Sequence, residues 1–119
     1  MSTCAILRFG FPMSVNGLRM PSRGRLISTP EYRAWQEEQL WLLASQKEPK
    51  LKGAYALHLM LNKPDNRRRD ISNYIKSAED LLVSAKFVED DSYCQKLTVE
   101  WVRGQDSPAK AFLVNTWER

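Results

Sequence analysis

Ala54-Tyr-Ala-Leu-His-Leu-Met-Leu61 is apolar on both of its alternating faces, the pattern of a central strand covered on two sides. Lys63-Pro64-Asp65-Asn66 turns the chain after it, and Arg67-Arg68-Arg69 follows. Asp70 then opens a segment in which Ile71, Tyr74, Ile75, Ala78, Leu81 and Leu82 recur at helical spacing as far as about Ala85. That face packs on the sheet, and Asp70, Asn73, Lys76 and Asp80 lie toward the other side. Beyond the acidic turn Glu89-Asp90-Asp91, residues 93–102 alternate, with Tyr93, Leu97, Val99 and Trp101 among polar neighbours. Residues 110–117 read as a final strand, joined to the one before by a hairpin turn at Gly104 and Pro108.

Upstream, Cys4 to Phe9 reads as a strand, after which Gly10, Pro12, Gly17, Pro21 and Gly24 break regular structure and leave an arginine-bearing loop. Ser28-Thr29-Pro30-Glu31 is a helix start, with Ser28 and Glu31 spaced as in a capping box. The helix runs from about Pro30 to Ser45, with Tyr32, Trp35, Leu42 and Leu43 as its apolar stripe. The order β-α-β-α-β-β predicts a small α/β (α+β) domain: a mixed sheet of about four strands with two helices, in one unit over residues 1–119.

With 119 residues, 43% of them apolar and 27% charged, the chain has the make-up of a folded globular domain and no disordered or fibrous bias. One domain must therefore carry both binding and chemistry. The net charge is +4, and residues 1–30 hold Arg8, Arg19, Arg23 and Arg25 without one acidic side chain, which points to an anionic partner. Cys4 and Cys94 form no CxxC pair and His58 is the single histidine, so zinc and disulfide scaffolds are not expected. No apolar run nears the roughly 18–20 residues of a membrane span, and Met1-Ser2-Thr3-Cys4 lacks the charged start of a signal peptide, so a cytoplasmic location is expected.

The chemistry concentrates in Arg67-Arg-Arg-Asp-Ile-Ser-Asn-Tyr-Ile-Lys76 and, across one helix, Glu89-Asp90-Asp91. Guanidinium forks bind phosphate oxygens in pairs, and here they immediately precede a carboxylate at a helix start. Carboxylates gathered at a phosphate favour a hard cation such as Mg²⁺, and metal-assisted phosphodiester hydrolysis is the natural chemistry, with Lys76 placed to neutralise developing charge. Whether Asp91 reaches Asp70 depends on how the helix folds back. Plain structural roles exist for the same residues: a solvated arginine face, an N-cap at Asp70, a turn at Asp90-Asp91, a solvent-facing Lys76 and a hydrogen-bonded core His58. Trp35, Trp41, Trp101 and Trp117 read as core or interface, with base stacking as the alternative.

The arginine run, Asp70, Asn73, Lys76 and the Asp90-Asp91 pair, with Gly10-Phe-Pro-Met-Ser-Val-Asn16 and Arg23-Gly24-Arg25, resemble the RusA family of Holliday-junction resolvases over nearly the whole chain. The resemblance implies a homodimeric endonuclease of bacterial or prophage type, acting in DNA recombination and repair on four-way junctions. It further implies Mg²⁺, with Mn²⁺ as an alternative ion, held by Asp70 and Asp91 with Asp90 as an auxiliary. Lys76 would stabilise the scissile phosphate, and Arg67, Arg68, Arg69, Asn73, Lys76, Arg23 and Arg25 would hold DNA. Ser72 stands where the family usually carries a second aspartate, which removes one charged ligand. The rival expectation is a branched-DNA-binding protein of the same fold that cleaves weakly or not at all; a small RNA-binding or assembly protein is a third.

Overall fold

The computed structural model describes residues 3–116. The start Met1-Ser2 and the tryptophan at position 117 lie outside the described residues. The main sheet has the order β1-β6-β4-β5, built from β1 (Cys4–Phe9), β4 (Tyr55–Asn62), β5 (Cys94–Val102) and β6 (Ala109–Asn115). β6 is antiparallel to both β1 and β4, while β4 and β5 are parallel and joined through helix α2 (Ile75–Ser84). Helix α1 (Pro30–Ala44) precedes β4. The mixed four-stranded sheet with two helices is the α+β arrangement that the sequence predicts.

Alternation along the strands builds the core. Leu7, Ala111 and Leu59 lie side by side across three strands, with Ala5, Leu113, Leu57 and Phe9, Ala109, Leu61 in the neighbouring rows. All are buried, and the small alanines of β6, Ala109 and Ala111, sit beside large side chains of β1 and β4. Leu43 of α1 and Ala78, Leu81 and Leu82 of α2 pack into the same cluster, each buried leucine contributing about 2 kcal/mol. The opposite sheet face carries Ile6, Phe112, His58 and Thr98 in one row and is only partly covered. β4 is thus the interior strand expected, although one of its two faces is half-buried rather than sealed.

Several boundaries differ from the sequence reading. Within the stretch read as a loop lies a separate two-stranded ribbon, β2 (Arg19–Ser22) and β3 (Arg25–Ser28). Its turn is Arg23-Gly24, both at positive φ (50° and 77°), the left-handed pair that a two-residue hairpin turn requires. The glycine read as a breaker is the turn itself, and Pro21 is tolerated because a two-stranded ribbon consists only of edges. Ser28 ends β3, so the cap of α1 is Thr29, whose hydroxyl accepts the Tyr32 N–H at 3.1 Å. On α1, Gln39 is buried and Leu42 is exposed, because the face turned to β1 needs a polar partner for backbone.

β5 and β6 are consecutive but do not pair, so Gly104 and Pro108 do not close a hairpin between them: the chain passes β4, and β6 lies between β4 and β1. Its all-buried Ala109, Ala111 and Leu113 stripe suits an interior place, while exposed Gln95, Lys96 and Leu97 suit β5 to the edge. Tyr93 precedes β5 in a short 3₁₀ turn. The segment after Asp70 also begins as a 3₁₀ turn, Ile71–Tyr74, before α2 takes over. Asp70 flanks that turn without a side-chain capping bond.

Candidate nucleic-acid and phosphate site

α2 and the turn that leads into β5 define one cleft of about 450 Å³, lined by Arg19, Ser28, Lys76, Asp80, Asp90 and Asp91 among others. One turn of α2 places Asp80 below Lys76, and the return of the chain brings Asp91 alongside. Lys76 Nζ lies 3.1 Å from Asp80 Oδ1 and 3.7 Å from Asp91 Oδ2. The hydrogen bond that Lys76 donates to Asp80, with the charge of Asp80 and then that of Asp91, pushes the lysine above its ordinary value, so it remains an ammonium. Glu79, beside them, has its carboxyl pushed up, first by burial and then by Asp91. Asp90 accepts from the Ser92 hydroxyl, which holds its carboxyl below the usual range.

Asp70 belongs to a different cleft, of about 520 Å³, lined with Asn16, Arg68, Arg69 and Asn73. The structure therefore brings Lys76, Asp90 and Asp91 together and sets Asp70, Asn73, Arg68 and Arg69 together elsewhere. Ser72 is exposed and does not line the Asp70 cleft. Within the arginine run the roles divide. Asp65 receives Arg69 Nη2 at 2.7 Å and Arg67 Nε at 3.1 Å, and these bonds hold its carboxyl well below the ordinary range. Arg69 also reaches Tyr74 Oη at 3.2 Å. Arg68 is exposed and makes no ion pair among the described residues. Arg23 and Arg25 stand on the ribbon, Arg23 in its turn, both exposed.

Sequence reasoning left Asp80 and Arg19 out of the candidate site. The i, i+4 spacing of Lys76 and Asp80 on one helix was the available signal for the first. Arg19 had none, since its place depends on the ribbon folding back toward α2. His58 is half-exposed and pairs with Glu100 across β4 and β5 on the open sheet face, away from both clefts. Trp35 donates to Phe11 O at 3.0 Å and Trp101 stacks on the Phe11 ring, so both are structural, whereas Trp41 is 75% exposed on α1.

Mg²⁺ needs oxygen ligands in an octahedron and usually takes only one or two carboxylates, with water and substrate phosphate completing the shell. Among the described residues no three His, Cys, Asp or Glu side chains gather into a metal cage. Asp80 and Asp91, both within reach of one ammonium, are hard-oxygen donors of the type and number that Mg²⁺ uses beside a phosphate. The donor set fits the ion. Comparison with curated proteins finds no match. Residues 12–111 match the family model described as Endodeoxyribonuclease RusA, a span that holds both clefts, the ribbon and the core strands β4 and β5, and the chain belongs to that endodeoxyribonuclease family.

Proposed function

We propose that this protein is a Mg²⁺-dependent, homodimeric endonuclease that resolves four-way DNA junctions by paired symmetric nicks. The observation that carries the reading is the ammonium of Lys76 held between Asp80 and Asp91 in an open cleft. A phosphodiester entering this cleft meets an ammonium held in place by two carboxylates. Asp80 and Asp91 are the carboxylates that hold the metal in this cleft, with Asp90 as an auxiliary. Asp70 lies in the separate arginine-bearing cleft, and its part in the metal site is the point that its substitution tests. Mg²⁺ held by these carboxylates would contribute Lewis-acid polarisation of a phosphoryl oxygen and a lowered pKa of bound water. Lys76 stabilises charge on the scissile phosphate, and Arg68 with the ribbon arginines orients the arms through their phosphates. A two-fold dimer presents two such sites to the two symmetric arms of a junction.

The test is incubation of the full chain with a synthetic four-way junction, with and without Mg²⁺, beside a linear duplex of the same sequence. Paired nicks on the junction alone, lost on chelation, are expected. Asp70→Asn and Asp91→Asn should each abolish nicking while junction binding stays intact or tightens, because each change removes a metal ligand and a repulsion toward phosphate together. Full activity in either variant removes that residue from the centre. Binding without any nicking would favour the non-cleaving reading, which Ser72 and the separation of Asp70 from Asp91 support.

A further inference from the structure

The β2–β3 ribbon stands apart from the main sheet, and none of its eight strand residues is buried. Among the described residues the bonds that anchor it lie at its base: the Thr29 N–H donates to Leu18 O at 3.1 Å, and the Thr29 hydroxyl to Gly17 O at 2.6 Å. The pairing Arg19↔Ser28 and Pro21↔Leu26 sets these four side chains on one face, since alternate residues of a strand share a face. Arg19 Nη1 donates to Ser28 Oγ at 2.8 Å on that face, and both residues line the cleft of Lys76, Asp80 and Asp91. Pro21 and Leu26 continue the same face outward by two residues, about 7 Å at strand rise. Leu26 is 72% exposed there.

An apolar pair at the end of a ribbon has no folding reason to be exposed, and its surroundings name its occupant. Arg19 shares its face and Arg23 and Arg25 flank it along the chain, and residues 1–30 carry no acidic side chain, so the ribbon suits a polyanion and repels a basic surface such as a second copy of itself. A polyanion that also offers apolar faces is a nucleic acid with unstacked bases. Leucine and proline are among the side chains that wedge between base steps. Resting on the endonuclease reading above, we propose that Pro21 and Leu26 form a wedge that packs against the unstacked bases at a DNA branch point, holding the adjoining phosphodiester at the Lys76–Asp91 cleft. Phosphate contacts alone do not distinguish a branch from a duplex; the wedge does.

The experiment places 2-aminopurine at the branch of a four-way junction and follows its fluorescence as full-length protein binds in a metal-free buffer, with linear duplex as the second substrate. Wild type should brighten the probe. Leu26→Ala should bind the junction about tenfold more weakly and brighten it less, with duplex affinity unchanged, while Leu26→Phe should keep both properties. Because Leu26 is exposed, both variants should keep the wild-type thermal midpoint. Unchanged junction affinity and brightening in Leu26→Ala would overturn the wedge while leaving the endonuclease reading intact. A wild-type protein that binds junction and duplex alike and leaves the probe dark would overturn the wedge, whereas absence of nicking when Mg²⁺ is added would overturn the endonuclease reading. A Leu26→Ala protein that sediments as a monomer where wild type is a dimer would assign the face to a second copy and overturn the wedge.

Discussion

Glu79 shows how the cleft charges its own framework. Burial and the neighbouring Asp91 raise its carboxyl above the ordinary value of 4.5, so folding favours the protonated form. A carboxyl raised on folding contributes stability below its unfolded value, and that contribution is lost as pH rises through the folded value. Glu79→Gln keeps the shape and removes the titration. The variant should therefore have a higher urea midpoint than wild type at about pH 7 and no advantage at about pH 4. An equal gain at both values would assign the effect to packing and leave the charge at Asp91 out of it. At this scale the sequence was partly legible: Lys76 and Asp80 announce themselves by helical spacing, whereas the Lys76–Asp91 approach depends on a return of the chain that no local pattern encodes.

The edge of the sheet at β1 depends on side chains of α1 and the turn after it. Outward N–H groups of Ile6, Arg8 and Gly10 donate to Glu48 Oε1 (2.6 Å), Gln46 Oε1 (2.9 Å) and Gln39 Oε1 (2.7 Å). Gln46 Nε2 also donates to Arg8 O at 2.6 Å, so one amide imitates a neighbouring strand and blunts the edge. Gln46→Ala should lower stability by about 1 kcal/mol in urea unfolding and speed exchange of the Arg8 amide. Unchanged stability and exchange would show that water replaces the amide without loss. This edge explains why Gln39 is buried where an apolar stripe predicts a hydrophobe. The strands themselves were legible, because their alternation reports burial directly. The ribbon was not, because glycine and proline mark both the end of an element and a tight turn within one. Nor was the place of β6: adjacency in sequence favours a hairpin with β5, and only the fully small or apolar inward stripe of β6 argues for the interior.

Across the whole molecule, a net charge of +4 understates what a polyanion meets. Ion pairs within the fold engage Arg8, Arg67, Arg69, Lys76 and Lys110, and among the described arginines they leave Arg19, Arg23, Arg25, Arg33, Arg68 and Arg103 outside any pair. Four of these, Arg19, Arg23, Arg25 and Arg68, lie on two separate elements, the ribbon and the turn before Asp70, which flank the two clefts. A guanidinium that meets a DNA phosphate releases a condensed counterion, so its loss lowers the slope of log affinity against log salt by about 0.9. Arg25→Ala and Arg68→Ala should each produce that change on a four-way junction, and the double variant about 1.8, since sites on separate elements act independently. Arg67→Ala should change the slope less, because Asp65 already offsets its charge in the free protein. The weakening should be uniform across junction sequences, as phosphate contacts carry no base information. Full slopes in both single variants would place the free arginines away from DNA. A full change in one and none in the other would confine the DNA path to the ribbon or to the Asp70 cleft, and so decide which of the two clefts receives the scissile strand.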